Sequence, residues 1–393
     1  MRYLIDGCYG DGNVGDEALL QAVRQLVERH DRDAAIRVMS ADPPATELLH
    51  GVPAILQTNP FGAGFYGAVC KGQLLPTVRA IRWADCFLLG GGELFRDDVG
   101  ARATFGMFYR LFLAAAFNKR LIALSVGAQE PTTRFGTLFL KAVMNRTHDL
   151  VFRDDESASI AERMRLRKTR IRISSDVVLT EVRRFAPALE TDHWSRSGHR
   201  LRVCVALKAL RRNHRFKAAC GESALVEHVA EGLCRLGAQR ELAVTVLVFA
   251  TRDLNLADTL GATLAASGLS VAYERSGRTD RLASTMRHAD LVVAMPLHAS
   301  VFAFGLGVPA IGIDYDRKVR KFYGQFGADR FCLAPAVLNG ESISSACLAA
   351  LEVAPALRLA IESRVHKETQ NTEEIARDLF MPEASPPWAV GRR

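Results

Sequence analysis

Residues 291–318 read LVVAMPLHASVFAFGLGVPAIGIDYDRK, and no other stretch limits the fold as tightly. Residues 291–295 form an apolar run with adjacent valines, the pattern of a strand buried on both faces. Pro296 cannot donate to a sheet ladder, so the strand must stop there, and His298 falls at its carboxyl end. A second such strand, residues 308–313, runs out into Asp314, Tyr315, Asp316, Arg317 and Lys318. Two adjacent βα units thus bring an imidazole and a cluster of charges to one rim. In open α/β sheets that rim binds ligands, because loops converge there and helix N-termini offer free N–H groups.

The remaining chain repeats the alternation, which predicts parallel sheets covered on both faces. Residues 1–8 read as a strand, 18–29 as an amphipathic helix, 36–39 as a strand and 57–72 as a long irregular loop. A helix over 77–83 then feeds a strand at 86–89 that runs into GGGELFRDD. Further strands are expected at 121–126, 150–152 and 171–174, with helices at 108–117, 135–146 and 157–164. Residues 186–199 are polar and aperiodic and read as a linker. A second series follows, with strands at 201–207, 242–249 and 270–273 and helices at 221–237, 257–267 and 279–288. Residues 342–374 read as helical, and the proline-rich residues 381–393 as a mobile tail. The expected architecture is two doubly wound, Rossmann-like parallel-sheet domains, 1–185 and 200–340, facing across a cleft, with C-terminal helices over 341–380.

Size agrees, since 393 residues exceed what one core usually holds. The formal net charge of +8 favours anionic ligands or an anionic membrane surface. The arginines are scattered along helices without interleaved aromatics, which argues against a nucleic-acid partner. Eight cysteines include no CxxC pair and no zinc spacing, so reduced thiols in a cytoplasmic protein are expected. Residues 105–124 are the most apolar window, but Arg110, Lys119 and Arg120 break it, so a core helix followed by a strand is the better reading. Peripheral membrane association stays open.

Four loops at strand ends can carry chemistry. In YGDGNVGDE, Gly10, Gly12 and Gly15 match dinucleotide spacing, yet Asp16 and Glu17 occupy the helix start where a pyrophosphate needs free donors. Met39 also stands where a ribose-binding acid would be expected. A sugar or other hydroxyl-bearing ligand held by Asn13, Asp16 and Glu17 fits better; the plainer reading of the two acids is complementation of the helix dipole. Gly90, Gly91 and Gly92 before Glu93 allow either a backbone nest or close packing. Arg153 either clamps an anion or pairs with Asp154, Asp155 or Glu156. Lys208, Arg211 and Arg212 follow a strand, as an anion site or a solvated basic loop.

The order of these motifs (GxxGxGNxGDEALL, DCFLLGGGELFRDD, SVGAQEP, FRDDES, SSDVVL and ADLVVAMPLHASVFAFGLGVPAIGIDYDRKVRKF) resembles the polysaccharide pyruvyl transferase family over about residues 1–330. The resemblance implies a GT-B-like fold, no metal or other cofactor, and transfer of a pyruvyl group from phosphoenolpyruvate to two hydroxyls of a sugar. The acceptor would be a cell-surface glycan or its lipid-linked precursor. By the same resemblance His298 is the catalytic histidine, while Asp316, Lys318, Gly12, Asn13, Gly15, Asp16, Glu17 and Arg153 occupy substrate-binding motifs. Pro296 stands where the family usually has an arginine and Lys208 where a strand-ending arginine is usual. Neither replaces a bidentate guanidinium. Lys318, Lys208 and Arg153 remain to hold phosphate and carboxylate. Two other classes stay open: a GT-B glycosyltransferase using a sugar nucleotide, and a non-catalytic sugar- or phosphate-binding relative.

Overall fold

The structure, a computed structural model, describes residues 1–58, 74–185, 200–210, 216 and 220–381. The expected linker 186–199, Arg211, Arg212, residues 59–72 of the expected loop and the tail from 382 onward lie outside the described residues. The described residues fall into two compact units, those within 1–11, 16–177 and 368–381 in unit 1 and those within 12–15 and 178–367 in unit 2.

Unit 1 is built on seven parallel strands: β1 (Arg2–Asp6), β2 (Ala35–Ser40), β3 (Ala54–Leu56), β4 (Cys86–Phe95), β5 (Arg120–Ala128), β6 (Asp149–Phe152) and β7 (Arg170–Ile173). Their spatial order is β3-β2-β1-β4-β5-β6-β7, so the winding direction reverses between β1 and β4. Between the strands lie α1 (Val14–His30), α2 (Pro43–His50), α3 (Leu74–Trp83), α4 (Ala101–Ala116), α5 (Arg134–Met144) and α6 (Asp155–Arg163). Every residue of β5 is buried, as a central strand covered on both faces requires. Phe95, Phe108 and Phe152 interlock in the core beside it.

Among the elements of unit 1 that went unread in the sequence are α2 and β3. Asp42 caps α2 by accepting from the Ala45 N–H at 3.1 Å, proline follows it, and Gly51 at φ 67° ends the helix. Helix α7 (Val177–Phe185), also unread, begins in unit 1, but its remaining residues belong to unit 2, where Phe185 packs on Phe302.

Unit 2 holds β8 (Leu201–Ala206), β9 (Leu242–Leu247), β10 (Ser270–Glu274), β11 (Leu291–Ala294), β12 (Ala310–Ile313) and β13 (Cys332–Leu333), all parallel, in the order β10-β9-β8-β11-β12-β13. Here the winding reverses between β8 and β11. The helices are α8 (Glu222–Gly237), α9 (Leu254–Ala266), α10 (Thr279–Arg287), α11 (Leu297–Gly305), α12 (Arg317–Gly324), α13 (Gly340–Glu352) and α14 (Ala354–Phe380). The continuous helix expected over 342–374 is instead α13 and α14, bent by 76° at the break, and the last turns of α14 are counted with unit 1. No single helix among the described residues is long and apolar enough to cross a membrane.

Candidate functional site

In unit 2 the reversal point is where β11 pairs with β8, from Leu291 opposite Val203 to Ala294 opposite Ala206. The Met295 N–H extends the ladder by donating to the Ala206 carbonyl at 2.9 Å. Pro296 then turns the chain (φ −61°, ψ 135°) and stands as the N-cap of α11, with His298 the helix's second residue. The proline that stops the strand therefore also starts the helix. All other residues of α11 are buried, and His298 alone reaches partial exposure.

The imidazole rests on the backbone of Gly15. A Cβ placed there would lie 2.2 Å from Nδ1 of His298, closer than any real contact. Residues 12–15 are fixed for this contact by backbone bonds: Val14 N–H to the Phe249 carbonyl at 2.8 Å, and Thr251 N–H to the Gly12 carbonyl at 3.1 Å. Asn13 Oδ1 accepts from the Gly15 N–H at 3.2 Å, and Gly12 holds φ 65°, a left-handed value that side chains disfavour. Gly12, Asn13 and Gly15 are thus gathered with His298, as positioning elements. Gly15→Ala is expected to displace the ring and to lower kcat at least about tenfold where turnover depends on the ring's position; steady-state kinetics beside a thermal melt would check it.

Lys208 lies two residues beyond β8, and Lys318 in the first turn of α12. Their ammonium groups stand 5.8 and 5.9 Å from the centre of one ring, Tyr315, at the outer reach of a cation–π contact. Tyr315 was not assigned a role from sequence, where it reads as one member of a charged run. Asp316, a predicted substrate ligand, caps α12 by accepting from the Lys318 N–H at 3.3 Å. Asp253 also went unread: buried, it accepts from the Ala209 N–H at 2.9 Å beside Lys208. Burial pushes its carboxyl up, while the Ala209 bond and the Lys208 charge pull it down.

Unit 1 holds the other predicted residues, and several have structural duties there. Glu17 is buried; Oε1 accepts from the Gly10 N–H at 2.8 Å, and Oε2 lies 2.7 Å from His50 Nε2. Its carboxylate thus shapes the loop and pins α2. Asp16 is half-buried in the first turn of α1, where the helix dipole favours an acid. The triple glycine belongs to β4, which bulges after Gly92. Gly91 and Gly92 hold φ 69° and 88°, and a Cβ on Gly91 would strike Leu19 at 2.6 Å, so close packing is the reading the geometry supports. Glu93 pairs with Arg96 at 3.5 Å. Arg153 follows β6 and lies between Asp154 at 3.9 Å and Asp176 at 3.8 Å, so its charge is balanced by two carboxylates. Of the two readings offered by the sequence, the pairing with Asp154 is present, joined by Asp176.

A family model described as polysaccharide pyruvyl transferase matches residues 13–317. No curated protein sequence matches. Among solved structures, a putative UDP-N-acetylglucosamine 2-epimerase from Listeria monocytogenes superposes with TM-score 0.64 at 10% identity, covering 98% of this chain and 100% of that one. The UDP-GlcNAc 2-epimerase from Neisseria meningitidis, bound to UDP-GlcNAc, gives 0.63 at 9% identity, covering 97% and 100%. A glycosyltransferase from Rickettsia africae gives 0.58 at 11%, covering 97% and 99%. At such identities these likenesses establish the fold alone, two parallel-sheet domains of the GT-B type. The family match spans more than half the chain, and the protein belongs to the polysaccharide pyruvyl transferase family of transferases.

Proposed function

We propose that this transferase moves the pyruvyl group of phosphoenolpyruvate onto two hydroxyls of one sugar in a polysaccharide or its lipid-linked precursor, giving a cyclic ketal and inorganic phosphate. The observation that carries the reading is the placement of His298 and Lys208 at the reversal point of unit 2's sheet, in a chain of this family. The same edge carries Lys318.

The chemistry asks for groups of this kind. A proton is added to the methylene carbon of phosphoenolpyruvate, and positive charge develops on the neighbouring carbon. One sugar hydroxyl attacks that carbon and loses its proton. The carbon–oxygen bond to phosphate then breaks as the second hydroxyl attacks and loses its own proton. An imidazole both gives and takes protons near neutral pH, and His298 is assigned that work. Lys208 and Lys318 hold the donor's phosphate and carboxylate as point charges, in place of the guanidinium missing at Pro296. No metal or other cofactor enters this scheme.

The cysteines at 8, 86, 204, 220, 234, 332 and 347 are free thiols, which supports a reducing, cytoplasmic setting. Exposed Phe135 and Leu138 beside Arg134 and Lys141 on α5 support contact with the inner face of a membrane.

Thermal-shift titration tests the donor. Stabilisation by phosphoenolpyruvate and not by UDP- or GDP-sugars is expected; the reverse pattern would replace this reading by sugar-nucleotide transfer. Acceptor binding without turnover of any donor would mark a non-catalytic relative. Lys208→Ala is expected to raise KM for phosphoenolpyruvate about tenfold or more, the usual worth of one charged hydrogen bond, with Lys208→Arg retaining affinity. Steady-state kinetics on the two variants check this.

A further inference from the structure

Asp253 is the N-cap residue of α9, the place where an aspartate ordinarily accepts from its own helix's first N–H groups, yet its side chain makes no such bond. It turns instead to a residue 44 positions earlier, and Oδ1 accepts from the Ala209 N–H at 2.9 Å. We propose that Asp253 is a positioning residue for the anion-binding lysine: it fixes the turn after β8, and through it Lys208, to the β9–α9 turn that also carries the seat of His298. The proposal rests on the reading above of Lys208 as a ligand of the donor's charged groups.

The Ala209 N–H belongs to the peptide group that leaves Lys208, so holding it fixes the direction in which the lysine side chain departs from the backbone. One residue further, the Leu210 N–H donates to Glu222 Oε1 at 2.6 Å, and two carboxylates thus hold successive peptides of the turn. Asp253 is 2% exposed, and its Oδ2 makes no hydrogen bond among the described residues, so the side chain's hold on the protein comes down to Ala209. Burial, which pushes the Asp253 carboxyl up, is opposed by the Ala209 bond and by the charge of Lys208, so the lysine's head stays within the carboxylate's field. The Asp253 N–H donates to the Ala250 carbonyl at 2.8 Å, and Ala250 bridges to Asn13. With the bonds from Phe249 to Val14 and from Thr251 to Gly12, residues 249–253 hold both the loop beneath the imidazole and the turn bearing the lysine. A Cβ on Gly12 would lie 2.7 Å from Thr251 Oγ1, so the two segments meet closely. An ammonium on a flexible four-carbon stem binds well only where its backbone is fixed.

Two substitutions separate positioning from a structural duty. Asp253→Asn keeps an oxygen that accepts from Ala209. Asp253→Ser is one bond shorter, and serine is favoured at an N-cap, so the helix start is served while the reach to Ala209 is lost. The full chain is titrated by thermal shift with phosphoenolpyruvate, inorganic phosphate and UDP, and the ligand that stabilises the unaltered protein most is the probe. Asp253→Ser is expected to weaken that probe at least about fivefold, toward the loss caused by Lys208→Ala, and Asp253→Asn to hold it within about twofold. In a Lys208→Ala background Asp253→Ser should cost under about twofold, because its effect runs through the lysine. Melting curves confirm folding, and if Asp253→Ser does not fold, Asp253→Thr carries the same criterion. Unchanged affinity in the folded serine variant, an equal loss in Asp253→Asn, or a loss that persists undiminished without Lys208 overturns the proposal, as does an unaltered protein that binds none of the three anions. If phosphate or UDP binds and phosphoenolpyruvate does not, the donor reading falls, while the positioning of Lys208 is decided by the same comparisons.

Discussion

Replacing His298 by alanine should reduce pyruvyl transfer by about 10²- to 10⁴-fold, the usual range for removal of a general acid–base group, while leaving the fold intact. The structure gives reasons for both halves. His298 is the one residue of α11 that is not buried, so truncating it opens no core cavity, and the helix keeps its apolar anchors Val301, Phe302 and Phe304. Phosphate release from phosphoenolpyruvate in the presence of acceptor measures the first half, and a melting curve the second. A His298→Ala protein that melts normally and transfers at the original rate would remove His298 from the mechanism. A donor titration adds a control. Lys208 and Lys318 are untouched in the variant, so stabilisation by phosphoenolpyruvate should persist as turnover disappears.

What the sequence disclosed follows from the range over which each signal acts. Pro296 and the valines before it set the end of β11 and the place of His298 by local sterics, which need only neighbouring residues. The alternation of apolar runs gave two parallel sheets for the same reason. Helix α2 was equally legible, since Asp42, Pro43 and Gly51 are ordinary start and stop signals; its short apolar pattern hid it. Other features needed contacts between distant residues. Glu17 reads locally as a dipole-matched acid beside a candidate ligand loop, and only the fold brings His50 to it. Arg153 could pair with any of three following acids, and the fold chose Asp154 together with Asp176 from the next strand's end. Tyr315 reads as part of a charged run, and its place between Lys208 and Lys318 depends on β8 and β12 flanking β11. The docking of residues 12–15 against 249–251 is likewise non-local, which is why the glycine loop read only as a ligand loop and its contact with the histidine went unread.

Arg110 is the extreme case of a long-range partner, and it leads to the largest stability effect expected in this chain. In sequence it is a charge that spoils an apolar window; in the fold it meets Asp6, 104 residues earlier, with side-chain exposures of 4% and 0%. Its Nη1 also donates to the carbonyls of Thr58 and Gly106, at 3.2 and 3.1 Å. Burial pulls the guanidinium's pKa down, and the charge and hydrogen bond of Asp6 more than restore it, so Arg110 stays charged. Arg110→Ala would leave a buried carboxylate facing only Gln57, and removing one partner of such a pair typically costs about 3–5 kcal/mol. Against a usual total of about 5–15 kcal/mol, that brings unit 1 close to unfolding at room temperature. Asp6→Asn should cost less, because the amide oxygen still accepts from Arg110 or Gln57 and the stranded guanidinium keeps its two carbonyl partners. The double variant Asp6→Leu/Arg110→Met, which removes both charges, should recover much of the loss, since apolar replacements of buried pairs are often close to neutral. Urea unfolding of the single and double variants measures the coupling directly. If Arg110→Ala alone lowered stability by under about 1 kcal/mol, the Asp6 carboxylate would have to be reaching water, and the argument from its burial would be wrong.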